Sequence, residues 1–261
     1  MKLSAVIAAA YVEVQRTTGR KPSLSGRLDQ LLRRPVERDF NALRHFRMPP
    51  ESVYVDIGAN RGATIAAARL FLPRAPIVAF EPNPLLGPII TARNPHDRGL
   101  TLNEVGLSDE PGRFELHVPY YKGVPFDGLA SFRREEAATW LNSDRLLGFD
   151  PKHQEVRTFE CKVSTLDAFK LTPAFVKIDV QGLEPAVIRG GLATIERHWP
   201  VILMENNTPE TDAADLIRLG YVPHAFDGKI LVEGTHGDLN TFYIHPKTRD
   251  SLAADIFAKR A

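Results

Sequence analysis

Polar and glycine residues that follow two short apolar runs are the first candidates for chemistry in this sequence. Asp56, Gly58, Asn60 and Gly62 come after the first run, and Glu81 ends the second. Glycines allow the backbone to approach a ligand that a Cβ would block, so Asp56 could then hold the amino-acid end of that ligand. A carboxylate at the end of the neighbouring strand can accept hydrogen bonds from both hydroxyls of a ribose. Together the two elements indicate a cofactor that contains a nucleoside.

The spacing of the glycines decides which nucleoside cofactor is favoured. Residues 58–62 read Gly-Ala-Asn-Arg-Gly, which is not the G-x-G-x-x-G turn that binds the pyrophosphate of a dinucleotide. An NAD-linked oxidoreductase is therefore only an alternative function.

Two later apolar runs also end in polar side chains. Asp179 follows one run, and Glu205 and Asn206 follow the next. Asp179 is the candidate general base for an acceptor hydroxyl, and Glu205 is a candidate for acceptor binding. The alternative for Asp179 is that it only orients the acceptor or the loop. A divalent cation held by the oxygens of Asp179, Glu205 and Asn206 is a less favoured alternative to a metal-free base.

The order of apolar runs and helical patterns indicates how these residues are positioned. Strands predicted near 53–56, 77–81, 175–179 and 201–205 alternate with helices, the signature of βαβ units around a parallel sheet. The segments at 100–107 and 113–118 are interpreted as a hairpin, and the C-terminal strands as antiparallel edge strands. Ligands bind beyond the carboxyl ends of parallel strands, where the candidate residues fall.

The sequence also divides into regions. Residues 1–50 are helix-prone and end at Met48-Pro49-Pro50, so they are predicted to be a helical extension before a domain at 51–261. Between 120 and 156 the pattern breaks down into aromatic, glycine, proline and charged residues. We predict that this insert is a lid or acceptor-binding segment, with Tyr121 and Trp140 as acceptor-binding residues.

The overall composition excludes several classes of protein. With 33 Lys and Arg against 32 Asp and Glu, the net charge of +1 lacks the basic excess of a nucleic-acid-binding protein. A single cysteine, Cys161, cannot pair within the chain and favours a reducing, cytoplasmic location. The apolar stretch at 3–12 is too short to span a membrane, and an amphipathic helix is favoured over a signal peptide there. Formation of a homo-oligomer is left open.

Six motifs occur in an order that resembles the FkbM-type methyltransferases. They are V-D-I-G-A-N-R-G at 55–62, A-F-E-P-N-P at 79–84, G-L-S-D at 106–109, S-T-L-D at 164–167, V-K-I-D-V-Q-G at 176–182 and P-V-I-L-M-E-N at 200–206. They cover most of residues 53–206, and the combination is specific although each motif is modest. The family usually has D-V-E-G where this chain has Gln181, so a charge is missing beside the expected reaction centre.

This resemblance implies a fold, a cofactor and a reaction. The fold would be a Rossmann-like, doubly wound, mostly parallel seven-stranded sheet. S-adenosylmethionine would bind at the glycine turn. Further cofactor contacts would come from Glu81, Pro82, Asn83, Gly106, Leu107, Ser108 and Asp179.

The reaction would be O-methylation of a sugar, glycan or natural product, a small acceptor and not a nucleic acid. A module that binds the cofactor without catalysis is an alternative, for which Gln181 is the hint. A nucleobase N-methyltransferase is disfavoured because the chain has no Asn-Pro-Pro-Tyr or Asp-Pro-Pro-Tyr run.

Overall fold

The computed structural model describes residues 37–252 and 256–257. The helix expected near residues 3–18, and most of the predicted extension at 1–50, lie outside this part of the chain. The strands are β1 (Val53–Ile57), β2 (Ile77–Phe80), β3 (Leu100–Asn103), β4 (Gly106–Leu107), β5 (Gly112–Tyr121), β6 (Val124–Pro125), β7 (Gln154–Ser164), β8 (Pro173–Ile178), β9 (Val201–Glu205), β10 (Val222–Phe226), β11 (Leu231–Glu233) and β12 (Asn240–Ile244). The α-helices are α1 (Ala63–Phe71), α2 (Gly87–Arg93), α3 (Arg134–Trp140), α4 (Glu184–Arg189), α5 (Leu192–His198), α6 (Pro209–Asp212) and α7 (Ala214–Arg218).

The main sheet has eight strands in the order β11-β10-β12-β9-β8-β1-β2-β3. The strands from β9 through β8, β1 and β2 to β3 pair in parallel, whereas β12 is antiparallel to β9 and both β11 and β12 are antiparallel to β10. The prediction of an α/β fold with antiparallel C-terminal edge strands is confirmed. The prediction of a plain seven-stranded sheet is wrong, because β11 adds an edge strand and a second sheet is present.

The apolar strands of the main sheet are buried on both faces. On β1, Val55 and Ile57 pack with residues of α4, α5 and α7, while Tyr54 lies in the other core layer with residues of α1. Tyr54 stacks on Phe175 of β8, with ring centroids 5.1 Å apart. Burial on two faces is why these strands appear in the sequence as continuous apolar runs.

A second sheet of four strands has the order β4-β7-β5-β6. Its centre is the antiparallel pair of β5 and β7, which are in register from Gly112 with Val163 to Tyr121 with Gln154. The predicted hairpin between 100–107 and 113–118 is therefore wrong. The first run is divided between the sheets, with β3 beside β2 and β4 beside β7. The short separation of the two segments along the chain favoured the hairpin. In the structure β5 pairs instead with β7, which is a longer strand.

The insert at 120–156 is folded and is not the irregular loop that its mixed composition indicated. It contains the end of β5, strand β6, a 3-10 turn at Asp127–Leu129, helix α3 and the start of β7. A small apolar cluster that includes Tyr121, Leu141 and Leu146 stabilises it. The insert therefore extends the second sheet.

The chain before β1 packs onto the main sheet. A 3-10 helix at Arg38–His45 buries Phe40 and Leu43 in the same core layer as Tyr54. Phe46 makes an edge contact with Phe175, at 5.4 Å between ring centroids. No helix among residues 37–252 and 256–257 is long and apolar enough to cross a bilayer.

Candidate active site

A cleft lies at the carboxyl ends of the parallel strands, where β1 and β8 are neighbours although six strands and three α-helices separate them along the chain. This is the point at which strand order reverses, and it is where open α/β sheets bind ligands. The cleft has about 640 Å³ of empty volume, including open solvent. It is lined by Gly58, Asn60, Glu81, Pro82, Asn83, Leu86, Leu116, Asp127, Gly128, Ala130, Ser131, Phe132, Asp179, Val180 and Gln181. The fold thus brings together the residues predicted after three separate strands.

Glu81 is buried and is bound to the glycine turn. Its carboxylate accepts hydrogen bonds from the backbone N–H of Asn60 at 2.7 Å and of Asn83 at 2.9 Å. Burial raises the pKa of Glu81 to about 7, and the two backbone donors oppose that rise. Each carboxylate oxygen can accept a second hydrogen bond, so Glu81 retains the capacity to bind two hydroxyls.

Asn83 supplies a buried donor that has no hydrogen-bond partner among the residues that the structure describes. Its Oδ1 accepts from the backbone N–H of Leu85 at 3.0 Å, whereas its Nδ2 is buried without a hydrogen bond. A buried donor without a partner costs about 1–3 kcal/mol. Because Asn83 lines the cleft beside Glu81, a ligand oxygen or nitrogen would remove that cost. Glu81 and Asn83 therefore fit the nucleoside part of a cofactor.

The glycines of the turn act differently from what the sequence indicated. Gly58 lines the cleft, but a Cβ there would lie 1.8 Å from the backbone oxygen of Asp179. Its missing side chain thus allows the ends of β1 and β8 to approach each other. Gly62 has a φ of +78° at the start of α1 and does not line the cleft. Its role is conformational, since only glycine adopts that φ without strain.

Asp56 lies under the cleft and is not one of its lining residues. Its side chain is fully buried, and its Oδ2 accepts from the Thr64 hydroxyl. Burial raises the pKa of Asp56, while Lys177, its register partner on β8, lowers it. The structure therefore does not bring Asp56 to a position where it could contact the amino-acid end of a ligand directly.

Asp179 lines the cleft at the end of β8. Its Oδ2 lies 2.9 Å from the Nζ of Lys177, whose side chain is only 2% exposed. Burial favours the neutral form of Asp179, but the Lys177 ammonium and hydrogen bonds from Glu205 and Gln181 outweigh it and hold its pKa below the usual value. Asp179 is therefore ionised at neutral pH, as a general base must be.

Gln181 joins Asp179 to Glu205. Its Nε2 donates to Asp179 Oδ1 at 2.9 Å and to Glu205 Oε2 at 3.0 Å. The third oxygen ligand of the metal alternative is elsewhere, because the Asn206 side chain donates to Gly237 O and accepts from the Thr241 hydroxyl. The side chain that contacts both carboxyl groups is therefore that of Gln181 and not that of Asn206. Among the described residues, no group of three or more His, Cys, Asp or Glu could hold a metal ion.

The second sheet forms the opposite wall of the cleft. Leu116, Ser131 and Phe132 line it there, and none of them was a sequence-predicted site residue. Phe132 was one of several aromatics in the insert, but nothing in the sequence distinguished it. Tyr121 instead lies in the small apolar cluster, where its hydroxyl donates to Gly148 O and accepts from Asp150 N. Trp140 is at the end of α3, away from the cleft.

Two contacts join the insert and the second sheet to the glycine turn and to Pro82, on the Glu81 side of the cleft. Arg61 of the glycine turn pairs with Asp127, with Nη2 and Oδ2 2.5 Å apart and Nε and Oδ1 3.1 Å apart. The Cys161 thiol on β7 donates to Pro82 O at 3.1 Å, and burial raises the pKa of Cys161 to about 11. These contacts fix the distance between the two walls.

The G-L-S-D turn lies behind Pro82. A Cβ at Gly106 would lie 3.4 Å from Pro82 Cβ, and both Leu107 and Ser108 are buried. These three residues do not line the cleft. Their predicted place beside the adenine remains a prediction.

Comparison with known proteins agrees with this arrangement. The model of the methyltransferase FkbM domain matches residues 56–227, which span β1 to just beyond β10 and include the cleft. The chain belongs to the FkbM methyltransferase family. It is therefore an S-adenosylmethionine-dependent methyltransferase, and the motif resemblance seen in the sequence is confirmed.

Individual relatives are more distant. The 2-O-methyltransferase NoeI of Sinorhizobium fredii is 28% identical over 204 residues, which are 71% of this chain and 81% of that protein. The crystal structure of methyltransferase FkbM from Methylobacillus flagellatus is 14% identical with a TM-score of 0.47, and the match covers 90% of this chain and 60% of that one. For precorrin-6y C5,15-methyltransferase from Geobacter metallireducens the identity is 17% and the TM-score 0.39, over 79% of this chain and 86% of that one.

Proposed function

We propose that this FkbM-family methyltransferase transfers a methyl group to a hydroxyl of a sugar, glycan or similar small acceptor. The observation that carries the proposal is Asp179, an ionised carboxylate that faces the cleft beside Glu81 and Asn83. A carboxylate in this place can accept the proton that a hydroxyl must lose. The relative NoeI, a 2-O-methyltransferase, supports oxygen as the methylated atom.

The residues of the cleft have separate roles in this proposal. Bound S-adenosylmethionine would supply a methyl group that its sulfonium has already activated. Glu81 and Asn83 would hold the nucleoside, and Leu116 and Phe132 would cover the acceptor. Asp179 would orient the acceptor hydroxyl and take its proton. Methyl transfer is an in-line displacement, so correct positioning by these side chains supplies much of the rate enhancement.

The two alternative functions lose their main support. The absence of a carboxylate at 181 was the hint of a cofactor-binding module without catalysis, but Gln181 here binds two carboxyls of the cleft region. A dinucleotide would need a glycine turn open to its pyrophosphate, whereas Gly58 is packed against Asp179 O. The contacts of Gln181 and of Gly58 therefore favour neither a cofactor-binding module without catalysis nor an NAD-linked oxidoreductase.

Methyl transfer to a panel of acceptors tests the proposal. The protein is incubated with methyl-labelled S-adenosylmethionine and with monosaccharides, oligosaccharides and small phenols, and products are detected by mass spectrometry. We expect a methyl ether on at least one carbohydrate. Binding of S-adenosylhomocysteine without any methylated product would support the binding module, and methylation at nitrogen or carbon alone would contradict O-methylation.

Cofactor affinity is expected to depend on Glu81 and on pH. Because burial raises the pKa of Glu81 to about 7, the carboxylate is mostly ionised at pH 8 and mostly protonated at pH 6. Only the ionised form accepts from both ribose hydroxyls, so S-adenosylhomocysteine should bind about tenfold more weakly at pH 6 than at pH 8.

Calorimetry on Glu81→Gln checks this assignment. The variant should bind about 10- to 150-fold more weakly at pH 8, since hydrogen bonds to a charged group contribute about 1.5–3 kcal/mol. It should also lose the difference between pH 6 and pH 8. If the variant keeps the pH dependence of the native protein, another group is responsible and the placement of the ribose is wrong.

Acceptor binding is expected to depend on Phe132. This half-buried ring lines the cleft and is held by an edge contact with Phe114, at 5.8 Å between centroids. Phe132→Ala should raise the Michaelis constant of a carbohydrate acceptor roughly 2- to 12-fold, because an aromatic contact contributes about 0.5–1.5 kcal/mol. Steady-state kinetics measure this, and affinity for S-adenosylhomocysteine should stay within about threefold.

Leu147→Ala is the matched control for Phe132→Ala. Leu147 is an apolar residue of the same insert, 44% exposed and outside the cleft, so its loss should leave both constants nearly unchanged. Equal effects of Phe132→Ala on acceptor and cofactor would show that the second sheet does not distinguish the two ligands.

A further inference from the structure

Three of the described residues that line the cleft carry carboxyl groups, namely Glu81, Asp127 and Asp179. Glu81 is assigned above to the nucleoside and Asp179 to the acceptor hydroxyl. Asp127, the third, is only 6% exposed although it lines the cleft. A charged side chain that is buried to this extent needs partners of opposite charge. The role of Asp127 therefore follows from the groups that hold it.

Arg61 of the glycine turn holds the Asp127 side chain. Its Nη2 lies 2.5 Å from Asp127 Oδ2 and its Nε lies 3.1 Å from Oδ1, a bidentate geometry that fixes the orientation of the carboxylate. The turn is itself fixed, because Arg93 donates to Arg61 O at 2.7 Å. The preceding residue, Asn60, donates its backbone N–H to Glu81. Consecutive residues of one turn thus anchor the carboxylates of Glu81 and Asp127.

The backbone on both sides of Asp127 is bonded to strand β5. Before it, Phe126 N donates to Pro119 O at 2.8 Å. After it, Ser131 and His117 exchange two backbone hydrogen bonds, at 2.8 and 3.0 Å. The Asp127 carboxylate is therefore already fixed at the cleft before a ligand binds, which lowers the entropic cost of a contact with that ligand.

The amino-acid end of S-adenosylmethionine needs a partner in this cleft. It carries an α-ammonium and an α-carboxylate, and an ammonium that leaves water requires a hydrogen-bonded partner. Asp56, the residue that the sequence indicated for this end, is buried and is not among the lining residues. A carboxylate has about four acceptor positions, so Asp127 can bind an ammonium while it is paired with Arg61. The ion pair also presents one charge of each sign, as the amino-acid end does.

We propose that Asp127 binds the α-ammonium of S-adenosylmethionine. The insert then contributes a cofactor-binding residue in addition to the acceptor wall, and Asp127 takes the role that the sequence indicated for Asp56. This inference uses the placement of the nucleoside at Glu81 and Asn83 from the proposed function. It is independent of which acceptor is methylated.

Calorimetry at pH 8 with three ligands tests this contact without turnover. The ligands are S-adenosylhomocysteine, its deamino analogue, in which hydrogen replaces the α-ammonium, and methylthioadenosine, which lacks the amino-acid end. Asp127→Asn should weaken binding of S-adenosylhomocysteine roughly 5- to 30-fold, because a hydrogen bond between charged groups is about twice as strong as a neutral one. The affinities for the other two ligands should stay within about threefold.

Asp144→Asn is the matched control. It makes the same chemical change at an exposed position of the insert outside the cleft, so all three affinities should be unchanged. Equal losses for the three ligands in Asp127→Asn would show that Asp127 only shapes the cleft, and would overturn the proposal. Unchanged binding of S-adenosylhomocysteine with a raised Michaelis constant for the acceptor would assign Asp127 to the acceptor instead.

Glu81→Gln separates this inference from the proposed function. All three ligands share the nucleoside, so this variant should weaken their binding by similar factors. If it leaves the affinity for methylthioadenosine unchanged, the placement of the nucleoside at Glu81 is wrong. The difference between S-adenosylhomocysteine and its deamino analogue still decides the Asp127 contact in that case.

Discussion

Asp179→Asn is expected to lower the turnover number roughly 10²- to 10⁴-fold, the range that general-base catalysis contributes. The substitution keeps the shape of the side chain and removes its basicity. The asparagine oxygen can still accept from Lys177, and Glu81 and Asn83 are unchanged. Affinity for S-adenosylhomocysteine should therefore stay within about threefold, so that the loss appears in catalysis and not in cofactor binding.

Single-turnover methylation and calorimetry on the same preparation separate these effects. Glu160→Gln provides a control for the loss of a carboxylate outside the cleft. An equal loss of cofactor affinity and turnover would mean that Asp179 binds the cofactor and does not act on the acceptor. Full activity of Asp179→Asn would leave positioning as the main source of catalysis.

The alternative of a metal-activated hydroxyl makes a different prediction for the same protein. A cation bound beside Asp179 and Glu205 would lower the pKa of the acceptor hydroxyl, so that a chelator would abolish activity and magnesium or manganese would restore it. In this structure Gln181 directs its amide N–H groups, not its oxygen, toward both carboxyls. We therefore expect activity to persist in chelator.

Lys177→Met is expected to lower the free energy of unfolding by about 3–5 kcal/mol, the usual cost of removing one partner of a buried ion pair. Lys177 pairs with Asp56 in register and with Asp179 at 2.9 Å; Asp56 and Lys177 are buried, and Asp179 is 29% exposed. Methionine fills a similar volume but leaves two carboxylates without their cation.

The pH dependence of this loss follows from the direction of the shifts. In the native protein the Lys177 ammonium holds the pKa of Asp179 below its usual value, which stabilises the fold at neutral pH and is lost as Asp179 is protonated in acid. In Lys177→Met the pKa of Asp179 should instead be raised. The loss in free energy of unfolding caused by Lys177→Met should thus be larger at pH 8 than at pH 5.

Urea denaturation at pH 5 and pH 8 measures this difference. Lys162→Met, which removes an exposed lysine of β7, should change stability by less than about 0.5 kcal/mol. Adding Asp179→Asn to Lys177→Met should recover part of the loss, because one unpaired charge is then absent. A deficit that is the same at both pH values would mean that lost packing, and not charge, is the cause.

The sequence by itself determined which residues meet at the edge of the main sheet. Short apolar runs that alternate with helical patterns indicate central parallel strands, and parallel strands point their carboxyl ends in the same direction. Glu81, Asp179 and Glu205 therefore had to lie at one edge whatever the details of the loops. Four of the six motifs that resemble the family are strand ends and turns of that edge, whereas G-L-S-D and S-T-L-D lie at β4 and at the end of β7 in the second sheet.

Contacts between distant segments were decided only by the tertiary structure. The pairing of β5 with β7 joins residues that are about 40 positions apart, and no local pattern specifies that register. Leu116 and Phe132 reach the cleft only through this pairing. For the same reason Tyr121 was predicted as an acceptor-binding residue but lies in the small apolar cluster of the insert.

Side-chain direction was the other property that only the tertiary structure fixed. Asp56 points beneath the cleft because strand pleating places it on the same face of the sheet as Tyr54. Its register partner on the neighbouring strand β8 is Lys177. Gln181 reaches both carboxyls because its backbone adopts a left-handed φ that Glu184 stabilises. Pleat, register and a turn fixed by a distant side chain depend on the whole packed sheet, so residue type and spacing could not reveal them.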